Sequence, residues 1–158
     1  MGSGPFPTEL FDETGDELCR VGHEFGAVTG RKRRCGWLDM VALKYSIMVN
    51  GVTQLIMMKS DVMNDFDTIK VATAYEIGGR STSEFLGVDR AEFPYEITDD
   101  LRPVYTEFEG WKCDLRRYGS YEEFPEAFKR YVEFIERQTG VPVKIISVGP
   151  DRGETITR

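Results

Sequence analysis

The sequence predicts an α/β fold whose sheet is incomplete in this chain. Short apolar or β-branched runs alternate along the 158 residues with segments of helical length. This order of elements is typical of a mostly parallel sheet with helices packed on it. The strand-like runs are too few for a sheet that is covered on both faces. We therefore expect the chain to be part of a larger domain.

Two kinds of helix are predicted in the first third of the chain. Short helices are expected at 8–12 and 16–21, within a turn-rich region of 35 residues. Residues 36–50 leave little polar surface, which predicts a longer and mostly buried helix. Asn50 and Gly51 follow it as a stop signal.

The clearest helix is predicted at 120–139. Ser120 and Glu123 have the spacing of a capping box at its start. Because of Pro125, the sequence does not define which residue begins the helix. Gly140 can end the helix in a left-handed turn. The buried face is predicted from apolar residues at helical spacing, which are Phe124, Phe128, Tyr131, Val132 and Ile135.

Five segments are predicted to be strands. They are 54–58, 69–77, 93–98, 104–108 and 143–147. The first is a short apolar run bounded by turn residues, which suits a buried parallel strand. Residues 78–81 are expected to form a loop.

Composition excludes several classes of function. The net charge is −7 and the sequence pI is about 4.9. Proteins that bind nucleic acid non-specifically or that bind anionic membranes are usually basic. No apolar run approaches the roughly 20 residues of a membrane span, and the N-terminus lacks the features of a signal peptide. The odd number of cysteines, three, favours a reduced, cytoplasmic setting. A metal site built from soft protein ligands is disfavoured, since the sequence has one histidine, His23.

Lys59-Ser60-Asp61 directly follows the first predicted parallel strand. Ligands of α/β sheets bind beyond the carboxyl ends of the strands. A carboxylate there can accept hydrogen bonds from the ring NH and the exocyclic amine of guanine, and adenine would leave that charge unpaired. The lysine stem can lie along the base. A solvated turn is the alternative, because the pattern is short.

Residues 28–34 combine Val-Thr-Gly with four cations, against the acidic balance of the chain. Arginine binds carboxylates and phosphates through two parallel hydrogen bonds. The loop leads into the helix predicted at 36–50, whose first amides could add to an anion site. The alternatives are a solvated run of charges and a weak nucleic-acid patch.

Residues 147–152 end the last predicted strand and could share a pocket edge with Lys59 and Asp61. Gly149 lacks a side chain, so its backbone could approach a flat base closely. An ordinary strand-terminating turn is the alternative that spacing alone favours.

Neither His23 nor Cys35 is favoured as a catalytic group. No hydroxyl or thiol nucleophile pattern lies near His23, so we interpret it as a structural or surface residue. Cys35 follows the basic loop, which could lower the pKa of its thiol. Without a partner it is better interpreted as a small buried side chain.

Four ordered segments resemble adenylosuccinate synthase. Residues 4–9 (Gly-Pro-Phe-Pro-Thr-Glu), 29–37 (Thr-Gly-Arg-Lys-Arg-Arg-Cys-Gly-Trp), 59–61 and 149–152 (Gly-Pro-Asp-Arg) are similar to that family's motifs. The resemblance covers nearly the whole chain. It implies the C-terminal part of a larger P-loop-like domain, with residues 1–35 as a substrate-loop region and 36–158 as a guanine-binding α/β part.

The resemblance also implies roles in a ligase that joins IMP and L-aspartate with GTP and Mg²⁺. The aspartate and IMP loop would comprise Ala27, Val28, Thr29, Gly30, Arg31, Lys32 and Arg33. The GTP site would comprise Arg33, Lys59, Ser60, Asp61, Ser147, Val148 and Gly149. In the family, the oxygen on C6 of IMP attacks the γ-phosphate, and the aspartate amine then displaces phosphate. The complete enzyme would be a cytoplasmic homodimer.

The sequence departs from the family in one large respect. The family's phosphate loop, catalytic aspartate, catalytic histidine and magnesium ligands belong to its N-terminal part, so we expect no catalytic residue and no metal ligand in this chain. Val28, where some relatives carry threonine, and Ser60 are smaller departures. The chain would thus be inactive alone. The alternatives are a non-catalytic guanine-nucleotide or anion-binding fragment and a fragment without independent function.

Overall fold

Strands and helices alternate along the chain and fall into two units. The structure, a computed structural model, describes residues 4–81 and 93–158. The first unit holds the described residues of Met1–Ser46 and Lys70–Thr106, and the second holds Ile47–Ile69 and Glu107–Arg158. The predicted α/β class is confirmed, and the strands form two small sheets that each combine parallel and antiparallel pairs.

Among the described residues, seven strands and three α-helices define this architecture. The strands are β1 (Leu38–Asp39), β2 (Leu55–Met57), β3 (Thr68–Ile77), β4 (Arg80–Ser81), β5 (Arg102–Glu109), β6 (Val143–Ser147) and β7 (Thr155–Thr157). The α-helices are α1 (Glu13–Val21), α2 (Met40–Asn50) and α3 (Glu126–Thr139). Short 3-10 helices lie at Ser60–Met63, Leu115–Arg117, Tyr121–Glu123 and Arg152–Glu154.

The sheet of the first unit is centred on β3. β1 pairs with it in parallel, β4 returns antiparallel, and β5 also pairs with it. The strands predicted at 69–77 and 104–108 are confirmed. The loop predicted at 78–81 is a turn at Gly78-Gly79 that leads into β4.

The strand predicted at 93–98 is wrong. This segment is irregular apart from a bend at Tyr95-Glu96, and its apolar residues Phe93 and Ile97 instead pack against a buried cluster of Val41, Tyr75 and Leu101. Pro94 has no amide hydrogen to donate to a neighbouring strand, which disfavours a place inside a sheet.

The N-terminal helix differs from the sequence prediction in its limits. Asp12 caps α1 by accepting a hydrogen bond from the Gly15 amide at 3.1 Å, and the helix includes the predicted segment 16–21. The prediction of a helix at 8–12 is wrong, since these residues are not helical. The Thr8 hydroxyl, fully buried, donates to the Trp37 carbonyl at 2.8 Å and ties this segment to a distant part of the chain.

α2 begins four residues later than predicted and is less buried. β1 precedes it, and the Asp39 carboxylate caps it by accepting from the Ala42 amide at 3.0 Å. The helix ends at Asn50 as predicted, and Gly51 follows with φ 59°. Only Met40 and Val41 are buried along it. The expectation of a mostly buried helix is therefore wrong for the described structure.

The second unit contains the sheet β2-β6-β7. The strands predicted at 54–58 and 143–147 are confirmed as β2 and β6. They pair in parallel, as predicted for the first of them, and β7 is antiparallel to β6. β2 is not buried as predicted, since Ile56 is 58% exposed. It lies in a row with Ile145 and Thr157, and Thr157 is exposed too. One side of this sheet thus carries apolar groups in contact with solvent.

α3 provides the apolar core of the second unit. All five residues predicted for the buried face are buried, four of them on α3 and Phe124 just before it. The Phe128 ring lies 4.8 Å from the rings of both Trp111 and Phe124. The helix ends at Gly140, which has φ 69°. This confirms the buried face and the stop signal that the sequence predicted.

α3 begins after Pro125, later than the start of the predicted segment 120–139. Pro125 disfavours helical torsions at Phe124, which has ψ 150°, so the α-helix begins at Glu126. The predicted capping box is absent: Ser120 makes no side-chain cap, and the Glu123 carboxylate accepts from the Gly119 amide at 2.8 Å.

Candidate nucleotide and anion sites

The parallel pair β2 and β6 brings two predicted site segments to one edge of the second unit's sheet. Met57, at the end of β2, pairs with Ile146 near the end of β6, so the carboxyl ends of the two strands lie at the same edge of the sheet. Residues 59–61 follow β2 and residues 147–149 end or follow β6. The 3-10 helix Ser60–Met63 packs against β6. This edge is where α/β sheets bind ligands.

Lys59 sets the direction of the chain after β2. It adopts the left-handed conformation, with φ 55° and ψ 40°, and its side chain is exposed. The next residue, Ser60, is fully buried, and its hydroxyl has no hydrogen-bond partner among the described residues. Asp61 is half-buried, and its carbonyl accepts from the Asn64 amide at 3.1 Å. The turn thus separates an exposed cation from a partly shielded carboxylate.

Hydrogen bonds between residues near in sequence hold the segment after β6. The Ser147 hydroxyl donates to the Gly149 carbonyl at 2.9 Å, and the Val148 amide donates to the Glu154 carbonyl at 2.9 Å. The Glu154 carboxylate accepts from the Asp151 amide, also at 2.9 Å. Ser147 and Val148 are buried, whereas Gly149 is half-buried.

Arg116 is a neighbour of this edge that the sequence analysis missed. Its guanidinium donates two hydrogen bonds to the Asp114 carboxylate, at 2.9 and 3.0 Å. Asp114 raises the pKa of Arg116 most, and the negative charges of Glu154 and Asp61 raise it further. The 3-10 helix that carries Arg116, Leu115–Arg117, also packs against the 3-10 helix Ser60–Met63. Nothing in its local sequence, Asp-Leu-Arg-Arg, distinguished it from an ordinary surface arginine.

The basic loop lies in the first unit and is closed by its own backbone. The Gly26 amide donates to the Arg31 carbonyl and the Gly30 amide donates to the Gly26 carbonyl, both at 2.8 Å. Gly30 has φ 64°, which favours glycine. The Thr29 hydroxyl accepts from the Arg31 amide at 3.3 Å. Residues 27–31 are all exposed, so the loop presents its tip to solvent.

Three of the four cations of this loop are paired with carboxylates of the same unit. The pairs are Lys32–Asp16, Arg33–Glu24 at 3.0 Å and Arg34–Glu9 at 2.5 Å. Arg31 has no ion pair among the described residues. These partners orient the three side chains, and the Arg31 guanidinium keeps its charge available to an external anion.

A cleft of about 280 Å³ opens beside the paired cations. It is lined by Glu9, Leu10, Phe11, Gly15, Asp16, Lys32, Arg33, Arg34 and Cys35. The amides of a helix start were expected to assist anion binding here. That expectation is wrong, since the helix begins at Met40 and its first turn is capped by the Asp39 carboxylate.

His23 and Cys35 do not form a catalytic pair. His23 is exposed and has φ 51°, in agreement with its interpretation as a surface residue. The expectation of a lowered Cys35 pKa is wrong, because burial raises the pKa of this thiol to about 11 and the neighbouring Cys19 adds to the shift. A neutral thiol is a weak nucleophile.

The described part of the chain carries neither a cluster of potential metal ligands nor a membrane-spanning helix. No three His, Cys, Asp or Glu side chains are grouped there so that they could hold a metal ion. None of the helices described, the longest of 14 residues, has the length and apolar composition of a membrane span.

Comparison with known proteins gives a consistent result. The profile of the adenylosuccinate synthetase family matches residues 1–156. Adenylosuccinate synthetases from Parabacteroides distasonis and Bacteroides thetaiotaomicron are 61% and 60% identical over the whole chain. The chain spans 36% of the length of each.

A solved structure agrees with these relatives. The structure of fully ligated adenylosuccinate synthetase from Plasmodium falciparum superposes with a TM-score of 0.88 at 34% identity. It covers 99% of this chain, which corresponds to 37% of that protein. The incomplete domain that the sequence predicted is thus a partial domain of a larger fold, and the chain belongs to the adenylosuccinate synthetase family.

Proposed function

We propose that this chain supplies the guanine-binding and aspartate-binding parts of a GTP-dependent ligase that joins IMP and L-aspartate to form adenylosuccinate. The family membership of the chain supports the reaction class. The observation that carries the proposal is the parallel pair β2 and β6, which holds Lys59-Ser60-Asp61 and the segment 147–149 at one edge of a sheet.

The proposed guanine site uses groups whose environments suit this task. The Asp61 carboxylate would accept hydrogen bonds from the ring NH and exocyclic amine of guanine, and Arg116 keeps positive charge near that carboxylate. Lys59 would lay its stem along the base. Ser60, Ser147, Val148 and Gly149 would line the site, with Ser60 contributing chiefly through its backbone.

The proposed aspartate site uses the basic loop. Arg31 would bind a substrate carboxylate, because it is the loop cation without an ion pair in the described structure, and would lie near the IMP ribose. Thr29 and the backbone of Ala27, Val28 and Gly30 would complete the loop around aspartate. Lys32 would assist there, and Arg33, oriented by Glu24 at 3.0 Å, would reach toward GTP.

The remaining components of the reaction would lie outside this chain. As the family resemblance implies, Mg²⁺ would be held by GTP phosphates and by residues elsewhere in the complete enzyme. The catalytic aspartate and histidine and the phosphate loop would also be supplied there. We propose that the complete enzyme is a cytoplasmic homodimer, and that this chain is inactive alone.

The first experiment measures adenylosuccinate formation from IMP, GTP, aspartate and Mg²⁺. The chain is assayed alone and together with the polypeptide that corresponds to the family's remaining two thirds. We expect activity in the mixture alone. Activity of the isolated chain would contradict the proposed division of labour. An inactive but associated mixture would contradict the ligase proposal and favour a non-catalytic binding fragment.

A second experiment tests base recognition in the mixture. Hypoxanthine lacks the exocyclic amine of guanine, so the intact site should prefer GTP to ITP. Asp61→Ala should raise the KM for GTP by about 10- to 100-fold, since it removes hydrogen bonds to a charged acceptor, and should abolish that preference. Asp65→Ala, at an exposed acid nearby in the sequence, is the matched control. Unchanged GTP use by the Asp61 variant would exclude the proposed base contact.

A further inference from the structure

The segment after β6 is organised by one residue that no motif singled out, through two backbone hydrogen bonds and one from its carboxylate. We infer that Glu154 is the positioning residue that fixes residues 147–149 for guanine-nucleotide binding. This inference rests on the proposed function, because it concerns the same edge of the sheet. It goes beyond that function by assigning the shape of the site to a residue outside the proposed contacts.

Glu154 holds the loop from both ends. Its carbonyl accepts from the Val148 amide at 2.9 Å, and its carboxylate accepts from the Asp151 amide at 2.9 Å. Its own amide donates to the Asp151 carbonyl at 2.9 Å. The turn between Val148 and Asp151 is therefore closed by one residue, which itself is half-buried.

Gly149 and Glu154 also share one space. A Cβ atom built on Gly149 would lie 2.2 Å from Oε2 of Glu154 and 2.9 Å from Oε1. These atoms end a flexible side chain, so an alanine at 149 could be accommodated by moving the carboxylate away. That movement would break its hydrogen bond to the Asp151 amide. Gly149→Ala and Glu154→Ala should consequently cause the same defect.

The charge of Glu154 is a separate property from its hydrogen bond. Arg116 lies within electrostatic reach of both Glu154 and Asp61, and its own contacts to Asp114 fix it in place. Glu154→Gln removes the charge but keeps an oxygen that can accept from the Asp151 amide. If the hydrogen bond does the positioning, glutamine should retain most of the function.

The test is a double-mutant cycle in the chain combined with the family's remaining part. Glu154→Ala and Gly149→Ala should each raise the KM for GTP about tenfold, the scale of one lost hydrogen bond to a charged group. The kcat and the KM values for IMP and aspartate should be unchanged. Since both changes break one contact, the double variant should be no worse than the poorer single variant.

Two further variants complete the design. Glu154→Gln should stay within about threefold of the unmodified enzyme, because it keeps the acceptor. Glu123→Ala removes an equivalent carboxylate–amide bond, to Gly119 at 2.8 Å, outside the loop. It should leave the KM for GTP unchanged.

Each outcome decides the inference. An unchanged KM for GTP in both alanine variants overturns it, and a multiplicative effect of about 100-fold in the double variant excludes the shared contact. A parallel fall in kcat, or a rise in all three KM values, would mean a general structural defect and would also overturn it. If the unmodified mixture shows no saturable use of GTP, the proposed function fails first and the inference fails with it.

Discussion

One methyl group added at Gly36 should disturb the close contact between this position and the Thr8 backbone. A Cβ atom there would lie 2.2 Å from the Thr8 carbonyl oxygen and 2.7 Å from its carbon. Both atoms belong to the backbone, so the segment around Thr8 must move away. Two hydrogen bonds cross this contact, from the Thr8 hydroxyl to Trp37 at 2.8 Å and from the Leu10 amide to Cys35 at 2.9 Å.

The expected cost of Gly36→Ala follows from these two bonds. Losing a buried hydrogen bond and leaving its groups unpaired costs about 1–3 kcal/mol, and the second, backbone bond contributes about 0.5–1.5 kcal/mol. We therefore expect the free energy of unfolding to fall by about 1.5–4.5 kcal/mol. The Glu9–Arg34 ion pair next to this contact should be disturbed as well.

Urea unfolding measured by tryptophan fluorescence tests this value. Trp37 and Trp111 are the two tryptophans of the chain, so the variants are compared in a Trp111→Phe background, where Trp37 reports on the first unit. Gly4→Ala is the matched control, because no atom lies within 4 Å of its added Cβ. A Gly36 variant within about 0.5 kcal/mol of that control, the usual range for surface changes, would refute the reasoning.

Three further predictions concern the core, the thiol and the loop. Phe128→Ala should destabilise the chain by about 3–5 kcal/mol because Phe128 is fully buried. Phe11→Ala, at a ring that is 90% exposed, should change stability by less than about 0.5 kcal/mol, and urea unfolding of the two variants measures both effects. Cys35 should react slowly with iodoacetamide at pH 8 and faster as the pH rises toward about 11, because its raised pKa keeps the thiol neutral below that value. Mass spectrometry of the alkylated site measures the rate, and rapid alkylation at pH 8 would contradict the raised pKa. Arg31→Ala should raise the KM for aspartate about tenfold or more in the complemented enzyme, because it removes a charged contact to the substrate. Arg20→Ala on α1 is the control and should leave this KM unchanged, so equal effects of the two changes would contradict the role of Arg31.

Local sequence patterns determined the elements that depend on near neighbours along the chain. The buried face of α3 follows from apolar residues at helical spacing, and Gly140 ends the helix because glycine readily adopts φ 69°. The stop after Asn50 has the same origin. The ordered motifs of the sequence also identified the family, which the comparisons confirmed.

Burial was harder to predict, because it depends on what the rest of the fold offers. The segment 36–50 is apolar on all sides, so its sequence cannot tell which residues face the protein. Only Met40 and Val41 are buried along the helix, while Ile56 in the following strand is 58% exposed. Such surfaces are consistent with a chain that spans 36% of its relatives' length.

Only the tertiary structure decided how the charged groups are arranged. The sequence presented four equivalent cations in one loop, whereas folding pairs Arg34 with Glu9, 25 residues away, and leaves Arg31 without an ion pair among the described residues. Arg116 and Glu154 reach the proposed guanine edge in the same way. Their roles depend on distances between residues far apart in sequence, and hydrogen bonds and ion pairs form only where folding brings such groups within a few ångströms.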